Sequence, residues 1–315
     1  MVRSLLRTLL RKVANRLAAF VLGGSDRFDF WRRRGYYVLP AHFYSPVPDA
    51  RALPERVWLP AGDLVGIDLA VDEQLDRLES FRLRFASEYR PFPLAPATGR
   101  PGFHLANGSF GPGDAEALYC MVRDLNPARI IEIGSGMSTW VIDRALTANR
   151  ADGAPAAAFT VVDPSPSEAA RSAASVTEVF AGPVQEVTLS AFETLDAGDL
   201  LFIDSTHVVA TGSDVAYEYL EVLPRLRPGV VVHAHDIFLP HEYPRSWVVD
   251  RHIFWNEQYL LAAFLTLNPS FRVLWAGHHL HRCHHEALAS AMPSVADLDP
   301  VTDGGPSSFW FIRDR

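Results

Sequence analysis

The sequence is poor in cysteine, in long apolar runs and in positive charge. Its 315 residues include two cysteines, Cys120 and Cys283, too few for a disulfide framework or a four-cysteine zinc site. No apolar run approaches the roughly 20 residues that a membrane-spanning helix needs. The net charge is −8, from 29 Lys and Arg against 37 Asp and Glu, which argues against a nucleic-acid partner. We therefore expect a cytoplasmic globular protein.

The positive charge is concentrated in one part of the sequence. Residues 1–34 hold nine Lys and Arg against two Asp, a net +7, so the other residues carry −15. In residues 1–24, Arg3, Arg7, Arg11 and Arg16 recur among apolar residues at near-helical spacing, which predicts a basic amphipathic helix. This pattern suits peripheral attachment to an anionic membrane, docking of a protein partner, packing on its own domain, or a cleaved targeting peptide.

Residues 25–112 form a proline-rich stretch. Only Val71 to Glu88 has apolar residues at helical spacing. We interpret these residues as an accessory segment that covers or lids the domain after it.

Residues 113–315 alternate short apolar runs with helical stretches, which predicts an α/β fold with a mostly parallel sheet and helices on both faces. The predicted strands are residues 129–134, 159–163, 177–180, 200–204, 230–235, 271–275 and 308–313. The predicted helices are residues 114–125, 138–148, 167–174, 213–226 and 254–267. We expect the last two strands to be joined by a loop and to pair antiparallel at the edge of the sheet.

The first strand runs into a glycine-containing turn, Gly134-Ser135-Gly136. Glycines there allow a tight turn and close approach of the backbone to a small ligand. Thr139 stands where a dinucleotide-binding fingerprint has its third glycine, which disfavours a pyrophosphate ligand. Asp163 ends the second strand, where it can accept hydrogen bonds from both hydroxyls of a ribose or cap the following helix.

Acidic and histidine side chains follow the fourth and fifth strands. Asp204 and His207 follow one strand, and His235 and Asp236 end the other. Because the carboxyl ends of parallel strands share one crevice, these four form a candidate catalytic group. Asp204 and Asp236 can hold Mg²⁺, and without metal His207 is the preferred general base, since an unperturbed pKa near 6.5 suits that role. Alternatively, Asp204 caps a turn and His207 is an interior group.

Four motifs together resemble a known family. They are Glu132 to Gly136, Asp163 in V-V-D-P, Leu201 to His207 and Arg227 to Asp236. In this order and spacing, over residues 113–313, they resemble the class I S-adenosylmethionine-dependent methyltransferases, in particular a small-molecule branch with a D-x-x-H motif after the fourth strand. The resemblance implies a Rossmann-like seven-stranded sheet with an antiparallel last strand pair.

The resemblance also implies roles for the residues. Methyl transfer from S-adenosylmethionine to a hydroxyl, or a nitrogen, of a small-molecule acceptor is the implied reaction. Ser138 stands where many relatives have a third glycine, so Ser138 and Thr139 are expected to cap the helix and donate to the cofactor carboxylate. The other expected cofactor contacts are Glu132, Gly134, Ser135 and Gly136 at the amino-acid end, Asp163 at the ribose, the Gly182 to Gln185 loop near the adenine, and Asp204.

Two other functions remain open at this point. One is an NAD-type oxidoreductase, against which the missing third glycine counts, and the other is a non-catalytic cofactor-binding module tethered by its basic helix. Aromatic and polar residues after the fifth strand, from His241 to Gln258, are candidates for an acceptor pocket. The histidine-rich tract from His278 to His285 lacks zinc-ligand spacing, and we expect a polar surface tract.

Overall fold

The computed structural model describes residues 2–22, 25–39, 41–59, 64–96, 101–300 and 304–315. The chain consists of two compact units, and the boundary between them lies between Pro54 and Glu55. The smaller unit contains α1 (Val2–Leu22) and α2 (Ser25–Arg32). Helix α1 covers the residues predicted as the basic helix, whereas α2 lies in the proline-rich stretch, where only residues 71–88 were predicted to be helical. Among the described residues, no helix has both the length and the apolar composition to cross a bilayer.

The larger unit is built on a seven-stranded sheet. Its strands are β1 (Arg129–Ile133), β2 (Ala158–Val162), β3 (Glu178–Phe180), β4 (Leu200–Ile203), β5 (Val231–Ala234), β6 (Phe271–Ala276) and β7 (Phe309–Arg313). They lie in the order β3-β2-β1-β4-β5-β7-β6. The first five are parallel, and β7 runs antiparallel between β5 and β6. The predicted fold class and the antiparallel last pair are confirmed.

Helices cover both faces of this sheet. They are α3 (Val71–Tyr89), α4 (Asp114–Leu125), α5 (Met137–Ala151), α6 (Glu168–Ser172), α7 (Leu189–Phe192), α8 (Asp214–Tyr217), α9 (Arg245–Val249), α10 (Glu257–Leu265), α11 (Gly277–Cys283) and α12 (His285–Ala291). The helical path of α8 continues through a wider π turn at Glu218–Val222 and a short 3-10 turn at Leu223–Arg225. The predicted helix 213–226 is therefore present but irregular.

Strand β4 is apolar throughout because both of its faces are buried. In β4, Leu200 and Phe202 face one hydrophobic core, and Leu201 and Ile203 face the other. This alternation is the two-residue period of a strand, and the near-continuous apolar sequence is typical of a parallel sheet covered on both sides.

Helix α3 belongs to the body of the larger unit. Leu78, Phe81, Phe85 and Tyr89 on α3 are buried in the core of one sheet face. The compact units therefore do not meet at the predicted boundaries, residues 24 and 112. The reason is that the apolar face of α3 packs in the same hydrophobic core as the sheet. The lid role of residues 25–112 stays a prediction.

The histidine-rich tract differs from its prediction. It forms α11 and α12 between β6 and β7 instead of a surface loop, and His278 and His281 are buried. The physical reason is that Leu280, on α11, and Leu288, on α12, anchor these helices in the core and carry the histidines inward. No three potential metal ligands converge in this tract within the described ranges.

Candidate active site

The turn after β1 requires glycine at one position. Gly134 has a φ of +83°, and a Cβ there would lie 2.0 Å from the backbone oxygen of Asp204. Its N–H donates to the carbonyl of Val162, and Asp204 donates its own N–H to Ile133. The turn thus locks the carboxyl ends of β2, β1 and β4 together. Gly136 has an extended φ of 177°, and a Cβ there would meet nothing within 4 Å.

This contrast yields a matched pair of variants. Gly134→Ala is expected to destabilise the protein by at least about 2 kcal/mol, because it combines a strained φ with a backbone overlap. Gly136→Ala is expected to keep the wild-type unfolding midpoint, because its Cβ points into open space. Denaturant unfolding of both variants measures the difference, and equal stabilities would contradict the role of Gly134.

Glu132 lies beneath this turn, out of reach of solvent. Its carboxylate accepts hydrogen bonds from the Ser138 hydroxyl at 2.7 Å and the Thr139 hydroxyl at 2.8 Å. Burial raises the pKa of Glu132 to about 8, although the two hydroxyl donors act in the opposite direction. Thr139 also accepts the N–H of Gly136. These side chains therefore fix the start of α5, and their predicted contacts to the amino-acid end of a cofactor stay predictions.

Asp163 follows β2 directly and faces the glycine turn. Its carboxylate accepts the hydroxyl of Ser135 at 2.6 Å and the N–H of Ser165 at 2.7 Å. The cap of α6 is Ser167, whose hydroxyl accepts the N–H of Ala170. Asp163 is therefore not the helix cap considered as an alternative, and it orders the loop that precedes α6.

A cleft of about 570 Å³ opens at these strand ends. Its size suits a small ligand, since such pockets span roughly 300–1,000 Å³. Gln185 lies at its rim, where its side-chain amide donates to the carbonyl of Gly212 at 2.9 Å. The predicted cofactor residues that line the cleft are Gly134, Ser135, Asp163, Gln185 and Asp204. Those that do not line it are Glu132, Gly136, Ser138 and Thr139.

A cluster of acidic and imidazole groups adjoins the cleft at the ends of β4 and β5. Nε2 of His207 lies 3.3 Å from Oδ1 of Asp204 and 3.6 Å from Oδ2 of Asp236. On the other side of the ring, Nδ1 lies 2.8 Å from Glu257 of α10. His207 and Asp236 both have positive φ, 61° and 54°. Because such backbone is costly outside glycine, the two residues are held by their surroundings, as is common at functional sites.

The pKa values of His207 and Asp204 in this cluster depart from their ordinary values. Burial alone would lower the pKa of His207, but its hydrogen bonds to Asp204 and Glu257 outweigh burial and raise that pKa well above the usual value. Burial would raise the pKa of Asp204, but His235 and His207 lower it to about 2. The charged imidazole is thus favoured over the neutral one. The premise that favoured His207 as general base, an unperturbed pKa, does not hold here, and its role in the reaction stays a prediction.

His235 lies on a different side of this cluster. Its ring stacks near that of His233, and His233 stacks on Phe202, so both histidines point away from the core that contains Val232 and Ala234. Nε2 of His235 is 3.8 Å from Asp236. Burial acts to lower the pKa of His235, but Asp236, Asp204 and Asp114 raise it.

Several supporting residues were assigned no specific role from the sequence. Glu257 also accepts the hydroxyl of Tyr219, in the π turn, at 2.8 Å. Ser307 donates its hydroxyl to Asp236 at 3.0 Å, and its N–H to Asp114. One signal was present for Ser307: an antiparallel β7 beside β5 brings the residues before Phe309 to the carboxyl end of β5. The sequence gave no such signal for Glu257, because the order of the strands does not determine where α10 lies relative to the ends of β4 and β5.

Three comparisons relate this chain to known proteins. A family model described as a methyltransferase domain matches residues 131–237. An uncharacterized protein of Archaeoglobus fulgidus is 30% identical over 201 residues, which span 61% of this chain and 88% of that protein. A crystal structure of an S-adenosylmethionine-dependent methyltransferase from Anabaena variabilis aligns at 12% identity and a TM-score of 0.34, over 81% of this chain and all of that one.

The matched residues hold the central features of the site. They run from β1 through the glycine turn and Asp163 to the cluster at the ends of β4 and β5. The seven-stranded sheet with an antiparallel last strand pair is the one that the sequence resemblance implied, and the structure adds that β7 lies between β5 and β6. Residues 131–237 thus match a methyltransferase domain, within the seven-stranded fold that the resemblance to the class I S-adenosylmethionine-dependent methyltransferases implied.

Proposed function

We propose that this methyltransferase acts on a hydroxyl group of a small molecule. The observation that carries the proposal is the cluster of Asp204, His207 and Asp236 beside the cleft. Methylation of a hydroxyl requires removal of its proton and stabilisation of the oxyanion that forms, whereas a neutral amine has a lone pair ready to react. A carboxylate next to a protonated imidazole supplies both functions.

The cleft residues suit the parts of the cofactor. Asp163 presents a carboxylate for ribose hydroxyls, and next to the cleft residue Ser135 the open space beside Gly136, which does not itself line the cleft, leaves room for the amino-acid end. Pro183, Val184 and Gln185 at the far rim give an apolar contact and an amide for the adenine. Bound S-adenosylmethionine supplies an electrophilic methyl group for in-line displacement.

The residues of the cluster have different roles in the reaction of the acceptor hydroxyl. Asp204 is a weak base because its pKa is about 2. We assign the proton of the acceptor hydroxyl to Asp236, whose carboxylate is held in place by the hydroxyl of Ser307. Protonated His207, whose Nε2 lies 3.6 Å from Oδ2 of Asp236, stabilises the oxyanion by its positive charge. Glu257 and Asp204 hold the ring of His207 from its two sides.

A bound Mg²⁺ ion is an alternative to the proton on His207 as the positive charge that balances the carboxylates of Asp204 and Asp236. Ligand atoms of Asp204, His207 and Asp236 all lie within 4.8 Å of one another, and two of the three are carboxylate oxygens, which Mg²⁺ prefers. The proton on His207 already sits between the carboxylates, so a cation there would displace it. Activity that is lost with a chelator and restored by Mg²⁺ would favour the metal; activity unchanged by the chelator would favour the proton.

Calorimetric titration tests the cofactor site. Asp163→Ala is expected to weaken binding of S-adenosylhomocysteine roughly 10- to 100-fold, since hydrogen bonds to a charged group contribute about 1.5–3 kcal/mol. Asp196→Ala is the matched control, because Asp196 is exposed and lies before β4, at the opposite end of that strand. Unchanged affinity in Asp163→Ala, or tight NAD binding without any response to S-adenosylhomocysteine, would contradict the assignment.

The acceptor class needs a separate experiment. The protein is incubated with methyl-labelled S-adenosylmethionine and matched panels of phenols, alcohols and amines, and labelled products are identified by mass spectrometry. We expect O-methylated products, with a rate that falls when Asp236 is replaced by Asn. Products methylated only at nitrogen would overturn the hydroxyl assignment and leave the cofactor assignment intact.

A further inference from the structure

We propose that the smaller unit, residues 2–54, binds the surface of an anionic lipid membrane, with α1 lying in the plane of the interface. This inference goes beyond the methyltransferase reaction and does not depend on it. It is carried by three properties of the unit, namely an exposed apolar side, an excess of basic residues and a set of exposed aromatic side chains.

The first property is the apolar side of α1. Leu9 and Leu10 are each 62% exposed, Leu17 is 58% exposed and Val13 is 50% exposed. At 100° per residue these four fall within about one third of the helix circumference. Large aliphatic side chains lined up in this way bury little within the unit, and they have the arrangement that inserts into the boundary between lipid headgroups and acyl chains.

The second property is the charge of the same helix. Residues 1–24 contain five basic residues and no acidic one. Arg11, Lys12 and Arg16 are exposed. By the same helical spacing, Arg16 and Lys12 border the apolar side, and Arg11 lies on the opposite, polar side. Basic side chains at that border reach lipid phosphates while the leucines enter the apolar layer. This charge commits the proposal to an anionic surface.

The third property is a group of exposed aromatic residues in the rest of the unit. Tyrosine and tryptophan rings favour the membrane interface because they combine an apolar body with a polar edge. Phe43 and Tyr44 are 87% and 79% exposed and pack on each other, with ring centroids 4.0 Å apart. The others that are largely exposed are Phe28, Phe30, Tyr36 and Tyr37.

Co-sedimentation of the full chain with lipid vesicles tests the proposal. We expect binding to vesicles of phosphatidylcholine with about one quarter phosphatidylglycerol, weak binding to pure phosphatidylcholine, and release from the anionic vesicles in high salt. The variant Arg11→Gln/Lys12→Gln/Arg16→Gln is expected to lower the partition coefficient roughly 100-fold. Leu10→Gln/Leu17→Gln is expected to abolish binding at low and high salt alike.

The control variant is Asn15→Ser, which changes the polar side of α1 and is expected to bind as the wild type does. All variants should keep the wild-type unfolding midpoint, which shows that any lost binding is not a folding defect. Equal binding to neutral and anionic vesicles, no vesicle binding, or unchanged binding of the leucine variant would overturn the proposal. So would a self-associated wild type that Leu10→Gln/Leu17→Gln dissociates and that ignores vesicles, since α1 would then cover a second copy of the chain.

Discussion

Asp236→Asn is expected to lower kcat about 10²- to 10⁴-fold, the range that a positioned proton-accepting group contributes. The substitution keeps the shape of the side chain, and asparagine tolerates the positive φ of residue 236 as well as aspartate does. The amide oxygen can still accept the hydroxyl of Ser307. The substitution removes the ability to take up a proton and the negative charge beside His207 but no assigned cofactor contact, so the affinity for S-adenosylhomocysteine should not change. Steady-state kinetics and calorimetry on the same sample measure both quantities.

A buried carboxylate at the other end of the sheet provides the control. Asp199 is buried just before β4 and accepts the N–H groups of Arg129 and Asp196. Asp199→Asn is expected to cost about 1–3 kcal/mol of stability and to leave kcat near the wild-type value. A kcat equal to that of the wild type in Asp236→Asn would show that the proton goes elsewhere.

Glu257→Gln is expected to produce the largest change in stability. Glu257 is 1% exposed and His207 is 6% exposed, and removing one partner of such a buried pair costs about 3–5 kcal/mol. The expected loss is largest in mildly acidic solution, where the imidazole of His207 is charged in the wild type. Urea unfolding in the presence of a chelator, repeated across the pH range, measures it.

The sign of the pH dependence follows from the raised pKa of His207. A raised folded-state pKa means that protonation of His207 stabilises the fold fully below the unfolded-state value near 6.5. This contribution disappears as the pH rises through the folded-state pKa. Glu257→Gln lowers the folded-state pKa of His207, so the variant should lose the contribution at a lower pH than the wild type. The difference between the two proteins should therefore shrink as the solution becomes alkaline.

Tyr219→Phe separates the charge of Glu257 from its hydrogen bonding. It removes the hydroxyl donor to Glu257 but keeps the carboxylate that faces His207. The expected loss is about 1 kcal/mol, with a pH profile parallel to that of the wild type. If Glu257→Gln and Tyr219→Phe gave the same pH profile, the charge of Glu257 would not control His207.

Local sequence was sufficient for most of the sheet and for half of the site. Each strand is a short apolar run between turn residues, and the buried parallel sheet requires that pattern, so β1 to β7 were predictable to within one or two residues. Gly134 and Asp163 were predictable as neighbours because the order of the strands brings their carboxyl ends together. The short helices α7, α9, α11 and α12 were not, because four to seven residues carry too little periodicity to identify a helix.

By itself the sequence determined the α/β fold, the glycine turn, the acidic ends of β2, β4 and β5, and the basic amphipathic helix, because each rests on the spacing of nearby residues. Only the tertiary structure decided which side chains of the site form hydrogen bonds with each other. His207 meets Glu257 from 50 residues downstream, and Asp236 meets Ser307 from 71 residues downstream. Burial and the charge of Glu257 act on the pKa of His207 together with its near neighbour Asp204, and no local pattern records the burial or the contact with Glu257.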